Sequence, residues 1–357
     1  MYRRRISKTI RVGAVSIGGE HPISIESMTN TSTADVTATV TQIRALQNAG
    51  CEIVRLAINN TAAAASFAEI RRRVADVPLI ADIHFDHNLA LAAVAGGADK
   101  IRINPGNIGD SRKVGEIAAA CKGRGIPIRI GVNGGSLEAD LLEKYGVSGH
   151  SLAESSLRNV ELLHAHDFDN IVVSMKASNI PMTIDAHEIL APLIEYPFHI
   201  GITEAGTLYS GTIKSTAGLA GLLTRGIGDT VRISLTADPL EEVKVARELL
   251  KALNLRSFGP EIISCPTCGR CEIDLITLAA QVERHVAHIK SPIKIAIMGC
   301  VVNGPGEARE CHVGIAGGKG VGLLFRHGKI IHKVSERDLL DVLVHEVEDM
   351  ERDGYEL

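Results

Sequence analysis

Eight short apolar segments, most of them rich in Ile and Val, recur along the first two-thirds of this 357-residue chain, and each ends in a polar cluster. They cover residues 23–28, 53–57, 79–85, 100–104, 128–133, 171–176, 199–203 and 231–235. Runs this short, rich in β-branched side chains and bounded by turn residues, read as buried strands. Between them lie longer stretches of helical periodicity, such as 37–50, 88–97 and 112–123, several of which close on Gly as helix ends often do. Strands alternating with helices require a parallel sheet, and eight is the number that closes a TIM barrel. The expected fold is α/β, a TIM (β/α)8 barrel, with a long doubly wound open sheet as the alternative.

Length then divides the chain. A barrel takes roughly 200–250 residues, which leaves room for a smaller α+β domain. A helix over 241–253 closes the barrel and the break follows at 256–260, so the expected domains are 1–258 and 259–357. Beyond the break the pattern predicts a helix near 274–288, a strand at 293–298, a hairpin or small sheet within 313–334, and a helix over 336–353. Gly317-Gly318-Lys319-Gly320 is like a phosphate loop only superficially; without a strand–loop–helix setting it reads as a hairpin turn.

Composition excludes some functions. With no Trp and 3 % aromatics the chain lacks platforms for base stacking, and a net charge of −4 argues against general nucleic-acid binding. The basic start, Met1-Tyr2-Arg3-Arg4-Arg5, is not followed by an apolar run of signal-peptide length, and no stretch of roughly 20 apolar residues could span a bilayer. Seven cysteines, an odd number with five between 265 and 311, suit a reducing cytoplasm better than a disulfide framework.

The strand ends carry a second signal: Arg55; Asp82 and His84; Arg102, Asn104 and Asn107; Arg129 and Asn133; Lys176; Glu204; Ser234. In a barrel these would converge on the C-terminal face, where the active sites of this fold lie. Arg102, Arg129 and Lys176 bring one sign of charge to one mouth, which suits a phosphorylated substrate. A single strand-end Arg is ordinarily a salt-bridged rim residue; basic or amide groups on several different strands argue for a site. Glu204 either neutralises one of these cations or exchanges a proton with the substrate. Asp82 and His84, two apart on a strand, share a face, and His84 is expected to donate to substrate.

Near the C-terminus lie Cys265-Pro266-Thr267-Cys268 and, further on, Gly299-Cys300-Val301-Val302-Asn303-Gly304-Pro305-Gly306-Glu307. A C-x-x-C pair on a turn points two thiolates into one space, and soft thiolates select zinc or iron–sulfur clusters. Structural zinc wants four closed ligands, whereas a cubane held by three cysteines keeps one iron for chemistry. Cys265, Cys268 and Cys271 begin a ferredoxin-like run whose fourth cysteine is replaced by Leu275. Either Cys271 is a ligand or Cys300 completes the set, and the Gly-Pro-Gly loop favours Cys300. Cys311, beside His312, reads as a buried small residue or a zinc-type ligand, and Cys51 and Cys121 as packing.

The chain resembles the bacterial (E)-4-hydroxy-3-methylbut-2-enyl diphosphate synthases almost end to end. The resemblance rests on Ile23-Ser24-Ile25-Glu26-Ser27-Met28-Thr29, Asp82-Ile83-His84-Phe85, residues 100–109, Ile128-Arg129-Ile130-Gly131-Val132-Asn133, Thr203-Glu204-Ala205-Gly206 and both cysteine motifs. It implies an iron–sulfur oxidoreductase acting on CH or CH2 groups in the methylerythritol phosphate route to isoprenoids. A [4Fe–4S] cluster would be held by Cys265, Cys268, Cys300 and Glu307. Arg55, Asp82, His84, Arg102, Asn107, Arg129, Asn133, Lys176 and Ser234 would surround the substrate, with Glu204, Asn303 and Glu307 catalytic. Cys271 departs from the family pattern.

The substrate implied is 2-C-methyl-D-erythritol 2,4-cyclodiphosphate, reductively dehydroxylated as its ring opens. Glu307, a hard ligand among soft ones, would bind iron weakly and yield to a substrate oxygen. The resemblance also implies a homodimer and an outside electron donor, flavodoxin or ferredoxin, since the sequence has no dinucleotide fingerprint. Two other classes compete: a phosphate- or pterin-binding barrel transferase with a structural zinc domain, and a non-enzymatic iron–sulfur scaffold, for which the polar mouth would be unnecessary.

Overall fold

The computed structural model describes residues 3–300 and 309–354, which form two compact units, Met1–Arg256 and Ser257–Leu357. Asn303 and Glu307 lie outside the described residues.

The first unit opens on a hairpin of β1 (Ile10–Val12) and β2 (Val15–Ile17). Eight parallel strands follow: β3 (Ser24–Met28), β4 (Ile53–Ala57), β5 (Leu79–Asp82), β6 (Lys100–Ile103), β7 (Ile128–Asn133), β8 (Ile171–Lys176), β9 (His199–Ile200) and β10 (Thr230–Val231). They pair in the order β8-β7-β6-β5-β4-β3-β10-β9, and a parallel bridge from Val173 to Phe198 joins the two outer strands, closing the barrel. Seven of the eight sequence segments contain one of these strands whole, and the eighth, 231–235, overlaps β10 only at Val231. Four strands stop short of the segment read for them; β9 and β10 are two residues each.

The hairpin plugs the N-terminal end of the barrel. Ile10, Val12 and Ile17 pack there against Ile53, Ile80 and Val172. At the opposite end five of the turns into helices are set by a short polar side chain. Asp35, Asn60, Asp86, Asp110 and Asn179 accept backbone N–H groups of the helices Val36–Asn48, Thr61–Arg73, His87–Ala95, Ser111–Arg124 and Ile180–Leu190. Each satisfies an N–H the helix start leaves without a partner, worth about 1 kcal/mol.

The second unit is one five-stranded sheet in the order β11 (Glu261–Ser264), β12 (Lys294–Met298), β13 (Val313–Gly318), β14 (Val321–Arg326) and β15 (Lys329–Ser335). The first three are parallel and the last two join antiparallel. Alternation along β12 sends Ile295 and Ile297 to one face, where they pack with Leu343 and Val347 of the helix Leu339–Asp353 and Val282 of the helix Leu275–His285. Ala296 and Met298 go to the other, with Cys311 and Phe325. Lys319-Gly320 forms the tight turn between β13 and β14, with Gly320 at φ +69°, so the glycine run is a hairpin turn as its sequence suggests. Among the described residues no helix is long and apolar enough to cross a membrane.

Candidate active site

Strand register stacks charge inside the barrel. Asp82 on β5 pairs with Arg102 on β6, and Arg102 with Arg129 on β7. Asp82 Oδ1 accepts from Arg102 Nη1 at 3.0 Å; Oδ2 lies 3.5 Å from His84 Nε2 and 3.7 Å from Arg55 Nε. Burial alone would raise the Asp82 carboxyl. Arg55, the His84 hydrogen bond and Arg102 reverse this and hold it far below the usual carboxylate range. Gly131 on β7 makes room for this arrangement: a Cβ there would stand 2.4 Å from Arg102 Nε.

Deeper in the barrel, Glu26 on β3 is buried between two cations. Lys100 Nζ donates to Oε1 at 2.6 Å and Arg129 Nη1 to Oε2 at 2.5 Å. Burial pushes the Glu26 carboxyl up, but Lys100 and Arg129 outweigh it and bring the pKa down to about 2. Glu26 therefore stays ionised and fixes the position of Arg129.

Lys176, at the end of β8, donates toward His199 Nε2 at 3.1 Å. Burial and the nearby Arg55, Arg232 and Arg129 pull its pKa well below the ordinary lysine value. A cavity of about 360 Å³ opens beside it, lined by Asn133, Gly134, Lys176, Asn179, Thr203 and Glu204 among others. Glu204 is exposed and sits at φ 53°, a left-handed conformation that a non-glycine residue adopts at a cost of about 1 kcal/mol or more.

The interior thus sets Arg55, Lys100, Arg102, Arg129, Lys176 and Arg232 against three carboxylates, Glu26, Asp82 and Glu242. Two N–H groups in this cluster, Arg129 Nε and Arg232 Nε, are buried without a partner among the described residues. An unmet buried donor is costly, and an anion in the mouth would meet that cost.

Of the residues singled out from sequence, Arg55, Asp82, His84, Arg102 and Arg129 lie in one electrostatic cluster, and Lys176, Asn133 and Glu204 share the adjacent cavity. Asn107 is half-buried in the short helix Pro105–Ile108 after β6, and Ser234 is half-buried in the loop after β10. Asn104 caps that short helix and donates to Ser136 Oγ at 2.6 Å. Sequence reasoning passed over Glu26, Lys100, His199, Arg232 and Glu242. A lone carboxylate within Ile23-Ser24-Ile25-Glu26-Ser27-Met28 was the available signal.

In the second unit, β11 and β12 are parallel neighbours, so Cys265 and Cys300 leave the sheet at the same end. Gly299 N–H donates to Cys265 Sγ at 3.2 Å, the kind of contact that stabilises a thiolate. Cys268 is exposed on the turn between them in sequence, and its carbonyl accepts from Cys271 N at 2.9 Å. Cys271 Sγ donates to Ile273 O at 3.2 Å and packs on the apolar core; Cys311 is buried beside Met298 and Phe325. No three His, Cys, Asp or Glu side chains among the described residues close on one point. The donor chemistry nevertheless fits an iron–sulfur group: Cys265, Cys268, Cys271 and Cys300 are soft donors less buried than Cys311, and Cys265 already receives a backbone N–H.

These features define a TIM-barrel protein with a cation-rich mouth and a separate cysteine-bearing sheet unit. The chain belongs to the GcpE family: residues 7–247 match the GcpE TIM-barrel domain and residues 261–349 the GcpE protein C-terminal domain. It is 56 % identical to a Geobacter sulfurreducens protein named 4-hydroxy-3-methylbut-2-en-1-yl diphosphate synthase (flavodoxin), over 96 % of this chain and 97 % of that one. Proteins of the same name from Geobacillus thermodenitrificans and Bacillus subtilis are 55 % and 54 % identical, covering 98 % and 99 % of this chain and 93 % of each relative.

Solved structures share the barrel. A type I 3-dehydroquinate dehydratase from Clostridium difficile superposes with a TM-score of 0.52, and a dihydropteroate synthase from Stenotrophomonas maltophilia with 0.51. Each is 14 % identical and covers 70 % of this chain and 98 % of its own. At that identity the likeness is one of fold alone.

Proposed function

We propose that this chain is an iron–sulfur oxidoreductase that makes (E)-4-hydroxy-3-methylbut-2-enyl diphosphate from 2-C-methyl-D-erythritol 2,4-cyclodiphosphate, in the cytoplasm and as a homodimer, with flavodoxin or ferredoxin as electron donor. The reaction takes up two electrons and two protons, opens the cyclic diphosphate and releases one oxygen as water. The observation that carries this reading is the cation excess in the barrel, with the unpartnered Nε groups of Arg129 and Arg232. Such a mouth suits a diphosphate; at about 4 Å each charge pair attracts with about 4 kcal/mol near a surface before desolvation takes its share.

Each residue then has a task. Arg55, Arg102, Arg129 and Lys176 hold the diphosphate and stabilise its negative charge as the ring C–O bond breaks. Asp82 keeps Arg55, Arg102 and His84 aimed, while Asn107, Asn133 and Ser234 complete the polar lining. Glu204 gives a proton to the departing hydroxyl; Asn303, outside the described residues, is proposed as a further catalytic residue. Cys265, Cys268, Cys300 and Glu307 would hold a [4Fe–4S] cluster. When bound, that cluster supplies single electrons and a Lewis-acidic iron. The zinc-domain transferase reading is not favoured, because the family assignment spans both units.

Turnover tests the proposal. Anaerobic protein given reduced flavodoxin as sole electron source should convert the cyclic diphosphate to the linear allylic diphosphate. Protein with its full complement of iron that binds the cyclic diphosphate but forms no product would contradict it.

A further inference from the structure

One chain of contacts in the mouth has no task above. His199, the first residue of β9, is fully buried. Its Nε2 lies 3.1 Å from Lys176 Nζ; its Nδ1 lies 2.7 Å from Thr230 Oγ1 and 3.3 Å from Glu26 Oε2. Hydrogen-bond chemistry orients this chain. A lysine ammonium only donates, so Nε2 accepts and carries no hydrogen when Lys176 is charged. The ring hydrogen then sits on Nδ1 and is given to Thr230 or to Glu26. Glu26, ionised and held by Lys100 and Arg129, can only accept. The chain runs from a fixed buried carboxylate, through a neutral imidazole, to an amine on the wall of the cavity that Asn133 and Glu204 also line.

We propose that His199 is a positioning residue for Lys176: anchored through Nδ1 on Glu26 and Thr230, it accepts at Nε2 and holds the lysine amine at the mouth for one phosphate of the substrate. The inference rests on the diphosphate reading above. A lysine side chain has among the largest rotamer freedoms, so an amine fixed beforehand binds a phosphate without losing that freedom on binding.

The surroundings give this arrangement a signature in protons. Arg55 from β4, Arg129 from β7 and Arg232 from beyond β10 face Lys176 against Glu26 from β3, and with burial they favour the neutral amine. Burial, Arg129, Lys176, Lys100 and Arg55 keep His199 neutral, able to accept. A phosphate dianion shifts the balance on Lys176 toward the ammonium. Above the pKa of the free amine, binding therefore takes up a proton.

Calorimetric titration of the cluster-loaded chain with the cyclic diphosphate, without electron donor and in buffers of different ionisation enthalpy, reads both affinity and proton uptake. Lys176→Met should weaken binding about tenfold, the loss of one charge-assisted hydrogen bond, and abolish the uptake. His199→Leu should weaken it by a similar factor in the wild type but add nothing in the Lys176→Met background. His199→Gln, whose side-chain oxygen can accept from the amine, should recover most of the loss. His199→Asn, polar but too short, should match His199→Leu and serves where leucine prevents folding.

Equal losses from the His199 substitution in the wild-type and Lys176→Met backgrounds would overturn the inference, as would no loss in the wild type. A Lys176→Met chain that binds like the wild type would instead overturn the placement of the diphosphate, and the role of His199 with it.

Discussion

Replacing Glu26 with glutamine removes one negative charge and leaves Lys100 Nζ and Arg129 Nη1 facing a neutral amide inside the barrel. All three side chains are almost wholly buried, with relative side-chain exposures of 0–1 %, so solvent cannot take the carboxylate's place. Breaking a buried ion pair from one side costs about 3–5 kcal/mol. The lowering of the Glu26 pKa from 4.5 to about 2 gives a similar figure, about 3 kcal/mol. Glutamine still offers one acceptor oxygen, which favours the lower end. At about 2–4 °C per kcal/mol for a unit of this size, the melting temperature should fall by about 6–12 °C. Thermal melts by circular dichroism at pH 7 and fixed scan rate would show it. The pH dependence has a definite sign. A depressed carboxylate contributes stability that is fully present above 4.5 and is lost as pH falls through about 2. The gap between wild type and Glu26→Gln should hold from pH 7 to 5, then narrow on further acidification. A fall of less than about 2 °C, or a gap that widens in acid, would refute the argument.

Two further substitutions probe the mouth. Gly131→Ala places a methyl 2.4 Å from Arg102 Nε and should displace that guanidinium, raising the KM for the cyclic diphosphate about tenfold or more; steady-state kinetics with an unchanged KM would exclude the tight fit. Glu204→Gln should lower kcat by about 10²–10⁴ while leaving the dissociation constant of the cyclic diphosphate nearly unchanged, as expected for a proton donor; a loss confined to binding would make Glu204 a substrate contact instead.

The eight strands were legible because parallel strands are buried on both faces and so read as plain Ile/Val runs. Their ends were less so. Residues 83–86 carry exposed His84 and Phe85 and the helix-capping Asp86, so β5 stops at Asp82 rather than at Phe85. The three-residue strands of the hairpin and the half-buried β11 have too little periodicity to be seen. Within the site, the sequence pointed to the charges at strand ends, but those polar clusters mix two populations. Asp35, Asn60 and Asn179 cap helices, whereas Arg55, Asp82 and Lys176 face the mouth, and residue type alone does not separate them. Glu26, Lys100 and His199 were missed for a different reason. They lie inside or at the start of strands, where a charge ordinarily turns outward, and only barrel closure makes an interior in which they can pair.

A catalytic cluster on the cysteine-bearing unit is open to direct test by metal analysis. Iron, sulfide and zinc content should be measured with the visible spectrum on anaerobically purified wild type, Cys300→Ser and Cys271→Ser. The wild type should hold about four irons and four sulfides per chain, as a cubane requires, with broad brown absorbance. That absorbance should be lost in Cys300→Ser and kept in Cys271→Ser, whose sulfur is engaged with Ile273 O. One zinc per chain and no colour would rule out a catalytic cluster and leave a phosphate-binding barrel with a structural metal.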